Sequence, residues 1–220
     1  MAETIRDRFD YLSRRYLLEA IKATEAVSHV REHLALNRKV VVFHDYKKGG
    51  GFNPFDLSHL VDNASTLPEL RDAIAEFDAE FKDLRMAKLH ALPSPIQVFR
   101  REFPKVLVVN GDEKKADILT RYRTFNDERS GPQVMLVQSA KSAGWSGHDT
   151  TGKFQRVLLN LGQPTAPTTA IQQEGRIYRT GQASDAIIRY FNTGTNWERW
   201  TFATTIAQRA SAAENLAMGE

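Results

Sequence analysis

The chain has 220 residues, of which 41% are hydrophobic, enough to bury a full core as one domain and too many for a disordered chain. Its 30 Lys and Arg against 27 Asp and Glu leave a formal net charge of +3, which permits a nucleic-acid partner without demanding one. Cysteine is absent, so disulfides and thiolate zinc sites are excluded.

No apolar run approaches the roughly 18 residues of a membrane helix. The opening Met1-Ala2-Glu3-Thr4-Ile5-Arg6-Asp7-Arg8 lacks a signal peptide's apolar centre. An intracellular chain with no membrane partner is expected. The histidines form no metal-spaced cluster. His29 and His33 lie four apart on a predicted helix, but no Glu follows in the zinc-protease sense. No metal site is expected.

Residues 4–37 read as a helix, with Ile5, Phe9, Leu12, Tyr16, Ala20 and Val27 at helical spacing and no Pro or Gly. Residues 1–37 are therefore taken as an N-terminal helical linker and 38–213 as the main domain, with a polar tail at 214–220. Val40-Val41-Val42-Phe43 has the β-branched run of a buried parallel strand. The turn after it, which carries His44 and Lys47, falls where open parallel sheets bind ligands. Gly49-Gly50-Gly51 breaks the chain and opens an insertion of about 49–104. Within it, 52–63 is irregular, Leu67–Leu92 reads as a charged amphipathic helix ended by Pro93 and Pro95, and Ile96, Phe99 and Phe103 mark one more short helix.

Three further strands are predicted at Val106–Val109, Val134–Val137 and Arg156–Leu161, with a helix to Phe125 between the first two. A helix from Thr168 to Thr180, a fifth strand at Ile187–Phe191 and a last helix over Asn196–Ala213 complete the list. Strand and helix alternate from residue 40 onward. That is the pattern of an α/β fold, a mostly parallel sheet with helices on both faces.

Two stretches carry chemistry. The first is Gln138-Ser139-Ala140-Lys141-Ser142-Ala143-Gly144-Trp145-Ser146-Gly147-His148-Asp149, a small-residue loop after a strand, where backbone N–H groups can approach a ligand. The second is Gln172-Gln173-Glu174-Gly175-Arg176-Ile177-Tyr178-Arg179-Thr180-Gly181-Gln182. On a helix, Arg176 and Arg179 share one face. Their fork-shaped, permanently charged guanidinium groups suit phosphate oxygens. Gly175 allows close approach beside Arg176, and Gly181 reads as the helix stop. Gly147-His148-Asp149-Thr150-Thr151-Gly152-Lys153 imitates a P-loop. It is rejected because Phe154 stands where Mg²⁺ needs Ser or Thr, and a strand follows.

The pattern Gln-x-x-Gly-Arg-x-x-Arg-x-Gly-Gln resembles motif VI of superfamily-2 helicases and translocases, and its ending is closest to the SWI/SNF-type and strawberry-notch-type members. Residues 40–43 resemble motif IV, and 138–149 resembles motif V, with Gly144 and Asp149 at motif positions. The resemblance covers about residues 38–210 and implies a RecA-like second motor domain, with ATP and Mg²⁺ in a cleft shared with an N-terminal motor domain, in cis or in trans. It implies Arg176 and Arg179 as catalytic arginine fingers, and Gln172, Gln173, Gly175, Gly144 and Asp149 on the nucleotide. Ser139, Lys141, Ser142, His44 and Lys47 are expected on nucleic acid, DNA first with RNA left open. The chain holds no Walker A loop and no Asp-Glu-x-His or Asp-Glu-x-Asp run, so it is not expected to hydrolyse ATP alone. The alternative is a non-catalytic module that binds nucleic acid or protein on a degenerate motor fold.

Overall fold

The structure, a computed structural model, describes residues 11–49, 53, 55, 68–142, 144–208 and 211. The expected helical residues 4–10, the irregular stretch 56–63 and the tail 214–220 lie outside the described residues.

Helix α1 (Tyr11–Ala35) buries Leu17, Ala20, Ala23, Ala26, Val27 and Val30 along one stripe. It ends where Asn37 takes a left-handed φ of 58°. There the N–H of Asn37 donates to Leu34 O at 3.0 Å and that of Arg38 to His33 O at 3.1 Å, a Schellman stop. The chain then enters strand β1 (Lys39–His44), buried along its whole length.

Helix α2 (Pro68–Met86) and helix α3 (Pro95–Glu102) belong to the expected insertion. The long helix predicted to Leu92 stops at Met86, and a single 3-10 turn at Leu89–Ala91 replaces its end. Ser94 starts α3 with a reciprocal capping box to Gln97. Strand β2 (Leu107–Val109), helix α4 (Lys115–Asn126), strand β3 (Val134–Gln138) and strand β4 (Arg156–Asn160) follow. Helix α5 (Pro167–Glu174), strand β5 (Ile187–Tyr190) and helix α6 (Asn196–Thr201), which runs into a π turn at Phe202–Ile206, complete the described chain.

The strands form one sheet in the order β2-β3-β1-β4-β5, every pairing parallel. Strand residues alternate between two cores. Val40, Val42, Leu136 and Leu159 face α1 and α3 with Ala26, Val30 and Phe99. Val41, Phe43, Met135 and Leu158 face the other layer with Tyr122, Phe125, Trp145 and Ile177. The α/β class is therefore as expected, an all-parallel sheet with helices on both faces behind an N-terminal helix.

At the amino edge of the sheet, Lys39 and Arg156 are register partners and both are buried. Lys39 Nζ donates to Phe125 O at 2.6 Å, Asp127 O at 2.7 Å and Ser130 Oγ at 2.9 Å. Arg156 donates to Gly147 O at 2.9 Å and Phe154 O at 2.6 Å, and pairs with Glu128 at 3.5 Å. These cations staple three loops by their carbonyls. Burial, with Arg156 close by, pulls the Lys39 ammonium down to about 8.

At the carboxyl edge, α1 covers the exits of β1 and β4. Glu19 accepts from the successive amides of Asp45 and Tyr46, at 2.6 and 2.9 Å. Arg15 pairs with Asp45, and Lys22 forms a buried 2.6 Å pair with Glu198 of α6. A Cβ at Gly162 would fall 2.5 Å from Asp45 Oδ2, so any larger residue would have to displace the carboxylate that Arg15 holds. Burial, reinforced by Asp45, pushes the Glu19 carboxyl up to about 8, against the two amides and Lys22 that favour its anion.

Candidate functional site

Helix α5 presents Gln172 and Gln173 and stops at Glu174 rather than running to Thr180. The Gly175 N–H still reaches Ile171 O at 2.9 Å, then Arg176 and Ile177 bond three residues back, at 3.1 and 3.0 Å, and Tyr178 bonds four back to Glu174 O at 3.0 Å. Ile177 is 1% exposed and belongs to the core cluster of Phe43 and Leu158. Arg176 and Arg179 therefore flank a buried isoleucine on a turn, which corrects the shared helix face expected from their spacing. Gly175 serves as the helix cap: a Cβ there would meet Ile171 O at 3.2 Å, so what lies close is the helix's own carbonyl. Gly181 takes a left-handed φ of 85°, in a later turn than the helix end it was expected to mark.

The run from Gln172 to Gln182 lines an open cavity of about 870 Å³ that includes Arg176, Tyr178 and Arg179. Arg176 is half-buried. Its Nη1 donates to Trp145 O at 3.1 Å, and its Nε is buried without a partner. Arg179 is exposed; its Nε donates to Gly175 O at 2.9 Å, and its backbone N–H to Gln182 Oε1 at 3.0 Å. Neither guanidinium meets a carboxylate among the described residues. Of the two glutamines, Gln172 lines the cavity and Gln173 turns inward. Gln173 is buried, and its Oε1 accepts from Asn160 Nδ2 at 2.6 Å, so its side chain is committed to the end of β4.

The loop after β3 packs against this turn. Ser139–Lys141 forms a 3-10 turn. Ser142 Oγ donates to Ser139 O at 2.9 Å, and Ser139 Oγ to His44 O at 3.3 Å, so both hydroxyls are spent inside the protein. Lys141 is exposed, and its carbonyl accepts from Tyr122 Oη at 2.7 Å. Gly144 is exposed in the left-handed region at φ 77°. Trp145 is buried, parallel to Tyr122 at 4.9 Å and edge-on to Phe125 at 5.8 Å. Its ring lies where a Cβ on Gly147 would be, 2.1 Å away, so Gly147 must be glycine. The Gly147 N–H donates to Arg176 O at 2.7 Å, which joins loop and turn directly.

Two of the residues expected to make contacts are buried. Asp149 is 1% exposed, and its carboxylate accepts from the Thr151 N–H at 3.1 Å, the Gly152 N–H at 2.9 Å and the Ser184 hydroxyl. Burial works to raise its pKa, but those hydrogen bonds and Arg156 together hold it below the usual carboxylate range. It is an internal tie between the loop after β3 and the residues that follow the arginine turn. His44 is fully buried, with Nδ1 3.0 Å from Tyr46 O; burial pulls its ring down to about 4. A neutral, enclosed imidazole cannot touch nucleic acid. Lys47 remains at the surface, 2.6 Å from Asp112, beside an open cleft of about 550 Å³ that it shares with Arg100 of α3.

Sequence reasoning gave no role to Tyr122 or Trp145. Tyr122 falls at an apolar position of the helix predicted to Phe125. The available signal was a tryptophan set between Gly144 and Gly147 in a loop that otherwise holds small and polar residues. The rejected P-loop imitation leads into β4 as expected, with Lys153 exposed. Among the described residues no His or acid cluster could hold a metal ion, and no helix is long and apolar enough to cross a membrane.

Compared by sequence, the chain matches no family model and no curated protein. Among solved structures it is similar to domain 2 of the DEAD-box helicase Mss116p bound to an RNA duplex, at 13% identity and a TM-score of 0.44, over 79% of this chain and 50% of that one. It is also similar to the C-terminal part of the Fun30 ATPase domain, at 13% identity and a TM-score of 0.44, over 78% of this chain and 42% of that one. The chain thus spans half or less of each.

Proposed function

We propose that this chain is the second RecA-like motor domain of an ATP-dependent superfamily-2 helicase or translocase of the SWI/SNF or strawberry-notch type. The observation that carries the reading is the pair of guanidinium groups, Arg176 and Arg179, lining an open cavity with no carboxylate on either among the described residues. Arginines that serve only packing find acidic or carbonyl partners for most of their donors. Arg176 has a buried Nε with none.

These residues fit a polyphosphate. Arg176 and Arg179 supply forked donors for its oxygens, Gln172 adds an amide at the cavity wall, and the exposed Tyr178 ring borders the same space. They do not supply metal ligands, so Mg²⁺ would be held by the N-terminal motor domain that completes the cleft. A bound nucleotide brings negative charge that builds on the transferred phosphoryl group, and the arginines' part is to balance it. Lys141 and Lys47, the exposed cations beside the carboxyl edge, are the groups offered to a nucleic-acid backbone, DNA or RNA.

The test is ATP turnover by the assembly that joins this domain to its N-terminal motor partner. Arg179→Ala is expected to lower kcat by about a thousandfold or more, the range for arginine fingers. Near-normal turnover in that variant would sink the motor reading and leave the non-catalytic module in its place. The isolated chain is expected to show no metal-dependent turnover.

A further inference from the structure

On the motor-domain reading, we infer that Tyr122 is a positioning residue that ties the nucleic-acid loop to Arg176 in the nucleotide cavity. A single side chain touches both ends of the segment between them. Its hydroxyl donates to the carbonyl of Lys141 at 2.7 Å, within the turn that presents the lysine. Its ring lies parallel to that of Trp145, with centroids 4.9 Å apart and planes 12° from parallel. Trp145 in turn offers its carbonyl to Arg176 Nη1 at 3.1 Å, and Gly147 returns an N–H to Arg176 O at 2.7 Å.

Every hydrogen bond in this series is 3.1 Å or shorter, and the two rings are buried. Trp145 is 5% exposed and Tyr122 7%. Phe125 closes the edge of the tryptophan ring, and Asn126 Nδ2 donates to Ser146 O at 2.9 Å. Both come from α4, so the helix that carries Tyr122 grips the loop at several points. The ring stack and the hydrogen bonds at its two ends join the members directly, while one flank of the Tyr122–Trp145 pair borders an open groove of about 450 Å³. The phenol also stays a donor across the working pH range. Burial pushes it up to about 12, and the charge of nearby Arg176 only partly offsets that.

A displacement of the Lys141 turn is thus expected at the Arg176 guanidinium, without any contact between nucleic acid and the arginine. The buried, unpaired Nε of Arg176 and the buried, unpaired indole Nε1 of Trp145 report on that displacement. Each gives an N–H signal in ¹⁵N spectra that is resolved from the backbone.

The experiment compares the native chain with Tyr122→Phe, which keeps the ring stack and removes the hydroxyl. Without ligand, Tyr122→Phe is expected to speed hydrogen exchange at the Ser142 and Gly147 amides together by about tenfold, with the α4 amides unchanged. Titration with single-stranded oligothymidylate, and with oligouridylate as its RNA counterpart, is expected to move the Trp145 indole and Arg176 Nε–H signals of the native chain. In Tyr122→Phe the oligonucleotide is expected to bind within about threefold of native affinity, because the exposed lysine is untouched, while those two shifts fall by more than half. Tyr122→Leu, which also loses the stack, is expected to abolish them. Faster exchange confined to Ser142, or equal shifts in native and variant chains, would overturn the relay and leave the motor reading standing. Failure of both oligonucleotides to bind the native chain would overturn the nucleic-acid reading and the relay with it.

Discussion

Two pairs of cations in this molecule have opposite fates. Lys39 and Arg156 sit side by side at the amino edge of the sheet, fully enclosed, and spend their donors on carbonyls of the loops around them. Arg176 and Arg179 lie on the turn after α5, one half-buried and one exposed, around an open cavity. The first pair has a structural job that is already complete. The second keeps charge in reserve. A cation's surroundings, more than its identity, decide which it is, because an enclosed charge must be satisfied at once and a cavity-lining one need not be.

The largest effect should separate the two pairs by stability. Arg156→Ala removes the donors that satisfy Gly147 O and Phe154 O and opens a void, and is expected to destabilise by about 3 kcal/mol or more in urea unfolding. Arg179→Ala, at the surface, is expected to stay within about 0.5 kcal/mol of native in the same measurement. Equal losses would erase the distinction between staple and reserve.

A second test uses pH. The folded Lys39 ammonium is pulled from 10.5 down to about 8, so between those values the unfolded chain holds a proton that the folded chain has shed, and stability rises as pH rises. Glu19 does the reverse: its carboxyl is raised from 4.5 to about 8, the folded chain holds the extra proton in that window, and stability falls as pH rises. Together the two groups predict a shallow minimum in the urea midpoint near pH 8. Lys39→Met is expected to flatten the alkaline limb and Glu19→Gln the acid limb. An unchanged profile in both variants would show that neither enclosed group titrates as its surroundings dictate.

The smallest expected effect sharpens the description of the arginine turn. Gly181 holds a φ of 85°, where an L side chain is strained, so Gly181→Ala is expected to cost about 1 kcal/mol. The same change should loosen the bond from the Arg179 N–H to Gln182, read as faster exchange of that amide.

The sheet was largely legible in the sequence. Runs such as Val40–Phe43 and Val134–Val137 are apolar at every position because both faces are covered, and that pattern admits few other readings. The arginine run stands out in the sequence, but its helix is shorter than its spacing predicts. Its periodicity continues past Gly175, while the regular helix stops at Glu174 and the next two amides, Arg176 and Ile177, bond three residues back. The burial of Asp149 and His44 is hidden in the sequence for a related reason. A polar residue after a strand looks the same whether it faces solvent or an internal network. Tyr122 and Trp145 escaped notice because apolar spacing on a helix registers a ring as packing and says nothing of where its hydroxyl points.

Glu19 grips two successive backbone amides at the exit of β1, while its neighbours Arg15 and Lys22 fasten α1 to Asp45 and to α6. The first helix is therefore geared to the turn that carries Lys47. A shift of that helix must either break these bonds or carry the turn with it.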